Sequence, residues 1–265
     1  MSHTLHFYPA GGVVTPEQWL ALGQAAREHA DGYVYLEEHS VLTLRGVDDE
    51  AAVSSVSLPR TPPRVVASPL SAQARSVAAR VAEEISAALA EHEAEGNALR
   101  ETVIGVDGGL GDILSQGVST GLQLRTPEDS TVVRLIEAGQ VKGEELALDD
   151  ALPALITALL KTIDEVDSPT SDSAAEAAAS MHPAPIGWLT EHTAEGRVDL
   201  GAGLHKGALP GEYAGLIAQL DVPVTVTPWR GLVIHDLADG DADVVLRVLA
   251  PRGFIFDVNS PHLQD

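Results

Sequence analysis

Two stretches of the chain, about 190 residues apart, carry the same alternation of apolar and polar positions. Asp31–Val47 reads DGYVYLEEHSVLTLRGV and Asp221–Leu237 reads DVPVTVTPWRGLVIHDL. Aligned without a gap, Val34 falls on Val224, Leu36 on Val226, Leu42 on Leu232 and Leu44 on Ile234. Alternation on either side of a turn predicts a β-hairpin. In the first copy its strands are Tyr33–Leu36 and Val41–Leu44, joined through Glu37-Glu38-His39-Ser40. A helix-like stretch precedes each copy, TPEQWLALGQAAREHA from Thr15 and LPGEYAGLIAQL from Leu209, with Pro16 set against Pro210. Thr15, Pro16 and Gln18 make a capping-box start. Two helix-then-hairpin units flanking a long middle segment predict a duplicated half-domain whose copies pack together.

The middle has its own pattern. Val77, Val81, Ile85 and Leu89 recur every four residues within an amphipathic helix of about Ser71–Glu93. Thr102–Val106, Leu122–Leu124 and Thr131–Ile136 read as strands, and Thr4–Pro9 as another near the start. Asp149 is placed to cap a further helix, whose stripe is Leu152, Leu155, Ile156, Leu159, Leu160 and Ile163. Helix, strands, helix makes an α+β layer. Ser57–Pro63 is a proline-rich connector. Residues 164–185, dominated by Asp, Ser, Ala, Glu and Pro, read as a linker in which Ala174–Ala179 could form a helical turn.

Charge and composition narrow the function classes. The 265 residues hold 16 Lys plus Arg against 39 Asp plus Glu, a formal charge of -23, which repels polyanions and disfavours nucleic acid. No run reaches the roughly 20 apolar residues that cross a bilayer, and MSHTLHFYPAGG lacks the basic-then-apolar order of a secretory signal. The expectation is a cytoplasmic protein with no membrane partner. There is no cysteine, which excludes disulfides and thiolate ligation of zinc or iron–sulfur clusters by these residues.

Local catalytic motifs are few. The glycine cluster Gly105–Gly111 lacks the Gly-Lys-Ser/Thr ending of a phosphate loop and reads as a structural hairpin. The ten histidines show neither H-x-x-x-H nor H-E-x-x-H spacing, and no metal site is assigned. His39, His205 and His235 fall in or near the two copies, although each taken singly reads as a surface or packing histidine. No G-x-S-x-G elbow is present, and no catalytic residue is singled out. Thr227-Pro228-Trp229-Arg230 is more distinctive: a turn proline followed by a flat apolar face and a guanidinium fork suited to carboxylates. An equal reading has Trp229 plugging the core and Arg230 balancing a local acid.

At these residues the chain resembles a known family. PIGWLTEHTAEGRVDLGAGLHKGALPGEYAGLIAQL, VTVTPWRGLVIHDL and LRVLAPRGFIFDVNSPHL resemble the second ferredoxin-like half-domain of precorrin-3B synthases, within the nitrite and sulfite reductase superfamily. YPAGGVVTPEQWLALGQAAREHADGYVYL and LTLRGV resemble the first half-domain, VVASPLSAQAR and IGVDGGLGDI the reductase domain between them. The resemblance implies an α+β fold: two ferredoxin-like half-domains paired by pseudo-twofold symmetry, with an inserted α+β nitrite/sulfite reductase-like domain. The implied segments are residues 1–63, first half-domain; 64–163, reductase-like domain; 164–185, linker; and 186–265, second half-domain. It further implies a tetrapyrrole ligand cradled by these domains, and in the superfamily a 4Fe-4S cluster, often beside sirohaem. Precorrin-3B synthase uses oxygen to hydroxylate and lactonise precorrin-3A on the aerobic route to cobalamin.

Two departures qualify that expectation. The family's first hairpin reads Leu-Thr-Ser-Arg-Gly-Asn-Leu-Gln-Leu-Arg-Gly, whereas Leu36–Gly46 here is LEEHSVLTLRG. His39 stands for the first arginine, Val41 for the asparagine and Thr43 for the glutamine, while Arg45 and Gly46 remain. Glu37 and Glu38 would repel a polycarboxylate, by about 1 kcal/mol for unit charges 4 Å apart in water. The family's Cys-x5-Cys and Cys-x3-Cys, which follow the segment matching Asn259–Leu263, are not among these residues, so this chain is not expected to hold the cluster by itself. The implied tetrapyrrole-binding residues are His39, Thr43, Arg45, His205, Trp229 and Arg230. Two expectations follow: the tetrapyrrole-binding part of an oxygen-dependent oxidoreductase whose cluster-bearing part is missing or lies on another polypeptide, or a non-catalytic degenerate homologue that binds or assembles a tetrapyrrole.

Overall fold

In the computed structural model, residues 2–50, 53–90, 99–126, 131–164 and 184–263 are described. Residues 165–183 of the expected linker 164–185, with its helical turn Ala174–Ala179, and the helix end at 91–93 lie outside them, as does the Ile163 side chain. In chain order the first elements are β1 (His3–Phe7), α1 (Pro16–His29), β2 (Tyr33–Leu36) and β3 (Leu42–Val47). Next come β4 (Arg64–Ala67), α2 (Arg75–Ala90), β5 (Val103–Asp107), β6 (Thr120–Arg125), β7 (Val132–Glu137), β8 (Gln140–Ala147) and α3 (Leu148–Asp164). The last are β9 (Gly187–Leu189), β10 (Arg197–Leu204), β11 (Ala208–Pro210), α4 (Gly211–Ala218), β12 (Val224–Val226), β13 (Leu232–Ala238), α5 (Asp239–Leu249) and β14 (Phe254–Ile255). Among the described residues, no helix is long and apolar enough to cross a membrane. Two compact units result, Met1–Arg60 with Ala184–Asp265, and Thr61–Pro183.

The first unit is built twice over. In one half β3 lies between β1 and β2; in the other β13 lies between β10 and β12. The registers repeat: Tyr35 pairs with Thr43 and Leu36 with Leu42, as Thr225 pairs with Val233 and Val226 with Leu232. Even the irregularity repeats, with a register shift between His3 and Leu5 matched by one between Val198 and Leu200. A bulge that recurs at the same place in two strands re-aims both in the same way. The gapless alignment of the two hairpins therefore gives their true structural correspondence. For the helices it is one residue off. Pro16 is the first residue of α1, whereas Pro210 is the residue before α4, so Pro210 answers to Thr15.

The halves interlock. After β1 the chain makes a tight turn at Ala10–Gly12 and Val13 bridges to Thr225 of the other half; after β10 it turns at His205–Gly207 and Ala208 pairs with Tyr35. β11 thus completes the sheet β1-β3-β2-β11 of the opposite half. α1 starts from the complete Thr15–Gln18 capping box and buries Trp19, Leu22, Gly23 and Ala26 at helical spacing. Gly23 and Ala214 let α1 and α4 approach closely, since a Cβ on Gly23 would lie 2.8 Å from that of Ala214. Leu36, Leu42 and Leu44 share one core with Val226, Leu232 and Ile234. This is the α+β pseudo-twofold architecture expected from the repeat.

The second unit carries a sheet ordered β4-β5-β6-β7-β8. β4, β5 and β6 are parallel, and β7 and β8 run antiparallel. In α2 the buried stripe is Ala78, Val81, Ala82, Ile85 and Leu89, with Val77 only half-buried at its edge. Asp149 lies inside the first turn of α3 and not ahead of it, because the helix already begins at Leu148. The expected hairpin at Gly105–Gly111 is a correction. β5 and β6 are parallel, so the glycines begin a crossover whose Ile113 and Val118 pack over Gly105.

Candidate functional site

The residues singled out by the resemblance lie on the first unit, most of them around two loops, Glu37–Val41 and Thr227–Gly231. Each loop is closed by the same backbone hydrogen bond, Glu37 N–H to Val41 O at 2.8 Å and Thr227 N–H to Gly231 O at 2.8 Å. Each has a left-handed residue in the equivalent place, Ser40 at φ 61° and Arg230 at φ 60°. The loops also bind each other. His39 N–H donates to Pro228 O at 3.2 Å, Glu38 bridges to Trp229, and Ser40 Oγ donates to Val226 O at 2.9 Å. Gly231 N–H donates to Thr227 Oγ1 at 3.2 Å, which fixes the second turn from inside. A rigid double tip follows, made of one loop from each half.

The cations at this tip have acidic partners. Arg230 Nη2 lies 3.2 Å from Glu38 Oε1, an ion pair across the two loops. Arg45 starts near the open end of its hairpin, where its carbonyl accepts from Asp31 N–H. Its guanidinium then runs back over the Tyr35 ring, 3.8 Å from the centroid, to reach Glu37 Oε1 at 2.7 Å. Tyr35 donates in turn to Asp31 Oδ2 at 2.8 Å; burial, and then that bond, hold its phenol above the ordinary tyrosine value. Arg45 and Arg230 are each about half exposed, at 48% and 50%. Exposed ion pairs contribute about 0–1 kcal/mol, so both arginines can exchange their glutamate for another carboxylate at little cost.

The remaining candidates are spread around this tip. Thr43 is buried and its hydroxyl meets His6 Nδ1 at 3.1 Å. His205 is exposed on the turn after β10, with its ring edge-on to His262 at 6.0 Å. That turn abuts the first hairpin, since Gly207 packs against the Leu36 carbonyl. Trp229 is half-buried, and its indole Nε1 is buried without a hydrogen-bond acceptor. The structure therefore brings His39, Trp229 and Arg230 into one tip, sets His205 close by, and reaches Arg45 through Glu37.

The contact of Tyr35 with Arg45 and the pairing of both glutamates with both arginines have no signal in the sequence. His235, one of the histidines in the second copy, has surroundings equally hidden there. That side chain is fully buried, with Nδ1 2.8 Å from Asp199 Oδ2 and Nε2 2.9 Å from Thr225 Oγ1. Asp199 also accepts from Asp236 N–H at 2.8 Å, so this cluster braces the second half-domain.

A four-iron cluster does not fit the donors present. The chain has no cysteine, and among the described residues no group of three or more His, Asp or Glu side chains could hold a metal. The polar groups that the tip does offer to solvent are the half-exposed guanidinium groups of Arg45 and Arg230, each paired with a glutamate.

No family model matches the sequence, and no curated protein matches it. Among solved structures, the Mycobacterium tuberculosis NirA protein matches with a TM-score of 0.68 at 15% identity, over 96% of this chain and 57% of NirA. This chain thus spans little more than half the length of that protein. The likeness shows the fold: this chain adopts the α+β fold of the matched part of NirA, consistent with two ferredoxin-like half-domains.

Proposed function

We propose that the protein binds a carboxylated tetrapyrrole at the double hairpin tip, and that its ligand is a corrin precursor of the kind handled by precorrin-3B synthases in cobalamin biosynthesis. The observation that carries this reading is the fixed juxtaposition of the two loops, with Arg230, His39 and Trp229 on the tip and Arg45 linked to it through Glu37. A rigid platform with two half-exposed guanidinium groups is suited to carboxylates at the rim of a flat ligand. Trp229 adds an apolar face and His205 a further donor. In this reading the chain supplies ligand binding and orientation. Any electron transfer through an iron–sulfur cluster would need thiolate ligands that these residues do not supply.

A second reading is a non-catalytic tetrapyrrole-binding or assembly protein. The pairing of Glu37 with Arg45 and of Glu38 with Arg230 favours it, because the site already satisfies its own cations. Titration of the purified protein with sirohaem or a corrin precursor, followed by visible absorption, tests the shared claim of binding. A saturable spectral change that weakens in Arg45→Ala plus Arg230→Ala supports it. No change in the wild type, or equal binding by the double variant, overturns it. Addition of oxygen and an electron donor to the complex then separates the two readings: turnover with a cluster-bearing partner supports the first, and its absence the second.

A further inference from the structure

The second unit buries two carboxyl groups side by side where its parallel strands end. Asp107 is the last residue of β5 and Asp112 closes the turn that follows; both are fully buried. Asp107 Oδ1 accepts three hydrogen bonds, from Gly109 N–H at 2.8 Å, Gly111 N–H at 3.1 Å and Gln123 Nε2 at 3.1 Å. Asp112 Oδ2 accepts one, from Ser68 Oγ at 2.8 Å just beyond β4. The other oxygen of each group, Asp107 Oδ2 and Asp112 Oδ1, is buried with no donor. Two buried acceptors without a donor are costly, and two adjacent buried negative charges more so. A single proton held between them removes both penalties.

We propose that Asp107 and Asp112 share one proton through these two oxygens, and that this proton latches the turn 107–112 across the ends of β4, β5 and β6. With three donors on one oxygen, Asp107 is the acceptor, and the proton resides on Asp112. Among the described residues, the side chains that bond or crowd this turn are neutral: Ser68 after β4, Ser71 ahead of α2, which crowds Gly108, and Gln123 on β6. The charge acting on Asp112 is that of Asp107. Burial, followed by that charge, pushes the Asp112 carboxyl from an ordinary 3.8 up to about 7. The folded value exceeds the unfolded one. The proton's contribution to stability is therefore complete below about pH 4 and is lost as pH rises through about 7. Above that, two like charges face each other out of reach of water and the turn loosens. This inference is independent of ligand binding by the first unit.

Urea unfolding of the full chain at a series of pH values tests the latch, with Asp112→Asn as the reference. Its side-chain amide donates where the proton did. The wild-type unfolding constant should rise on the order of a hundredfold between pH 5 and pH 8 relative to the variant. Carbon-13 carboxyl resonances of the wild type should show one aspartate titrating near neutrality, with exchange protection of the Gly109 and Gly111 amides falling in step. Matching pH profiles for the two proteins overturn the proposal. So do two carboxyl groups that both titrate below pH 5, or amide protection that stays constant while Asp112 ionises. The last two measurements need only the wild type.

Discussion

Gly207 packs its α-carbon against the carbonyl oxygen of Leu36, so tightly that a Cβ would fall 2.2 Å from it. The partner relationship across the pseudo-twofold is Gly12 against Val226, where the same distance would be 2.0 Å. Both glycines have positive φ, 66° and 74°. These two contacts are where each half passes a segment to the sheet of the other.

Replacing Gly207 by alanine should therefore destabilise the first unit by about 2–4 kcal/mol, combining backbone strain with a clash that no side chain can relieve. Gly12→Ala should cost a similar amount. Chemical denaturation of the two variants checks this. Two unfolding midpoints equal to wild type would show that the segments are not tightly interlocked.

The buried Asp199–His235 pair gives a second expectation. Asp199→Ala removes the acceptor of both the His235 ring and the Asp236 N–H. Taking that acceptor from a fully buried ring N–H and a part-buried backbone N–H should cost about 3 kcal/mol, and Asp199→Asn, which keeps an acceptor oxygen, should cost less. Thermal unfolding measured for both variants will show whether the ordering holds.

The ion pairs at the hairpin tip should matter for binding and hardly at all for stability. Glu37→Gln with Glu38→Gln should change unfolding free energy by less than about 1 kcal/mol. The same change should tighten binding of a tetracarboxylate porphyrin by roughly 3- to 10-fold, since the arginines no longer have internal competitors. Affinity that stays level or falls would mean that the glutamates contact the ligand favourably.

Thr15→Ala tests the start of α1 in isolation. Losing the hydroxyl that accepts from Gln18 N–H should cost about 1 kcal/mol. Gln18 also holds the Ser57 carbonyl through Nε2, at 2.9 Å, so Gln18→Ala should be at least as costly. Urea midpoints give both numbers.

The architecture was legible where burial imposes a period. Val34, Leu36, Leu42 and Leu44 are all buried, and so are Val226, Leu232 and Ile234. Their alternation gave both the hairpins and the correct register between copies. β8 left no such signal, because seven of its eight residues are exposed and its polar run has no apolar face. The glycines after β5 announced a turn but not the direction of the strand beyond it, which is set by sheet pairing. The arginines of the tip were visible as residue types. Their partners were not, since Arg45 reaches Glu37 by lying along Tyr35, a route fixed by the sheet and not by spacing in the chain. Nothing in the sequence sets Asp107 and Asp112 apart from the other acids, because sequence carries no record of how deeply a turn is buried.

The exchange of segments between the halves also constrains how the molecule can be made. Until Ala208–Pro210 has left the ribosome, the outer edge of Tyr33–Tyr35 has no neighbour, and the amino-terminal half waits with a bare strand while the intervening unit is synthesised. Fragments cut between the two units would inherit that exposed edge and the self-association it invites.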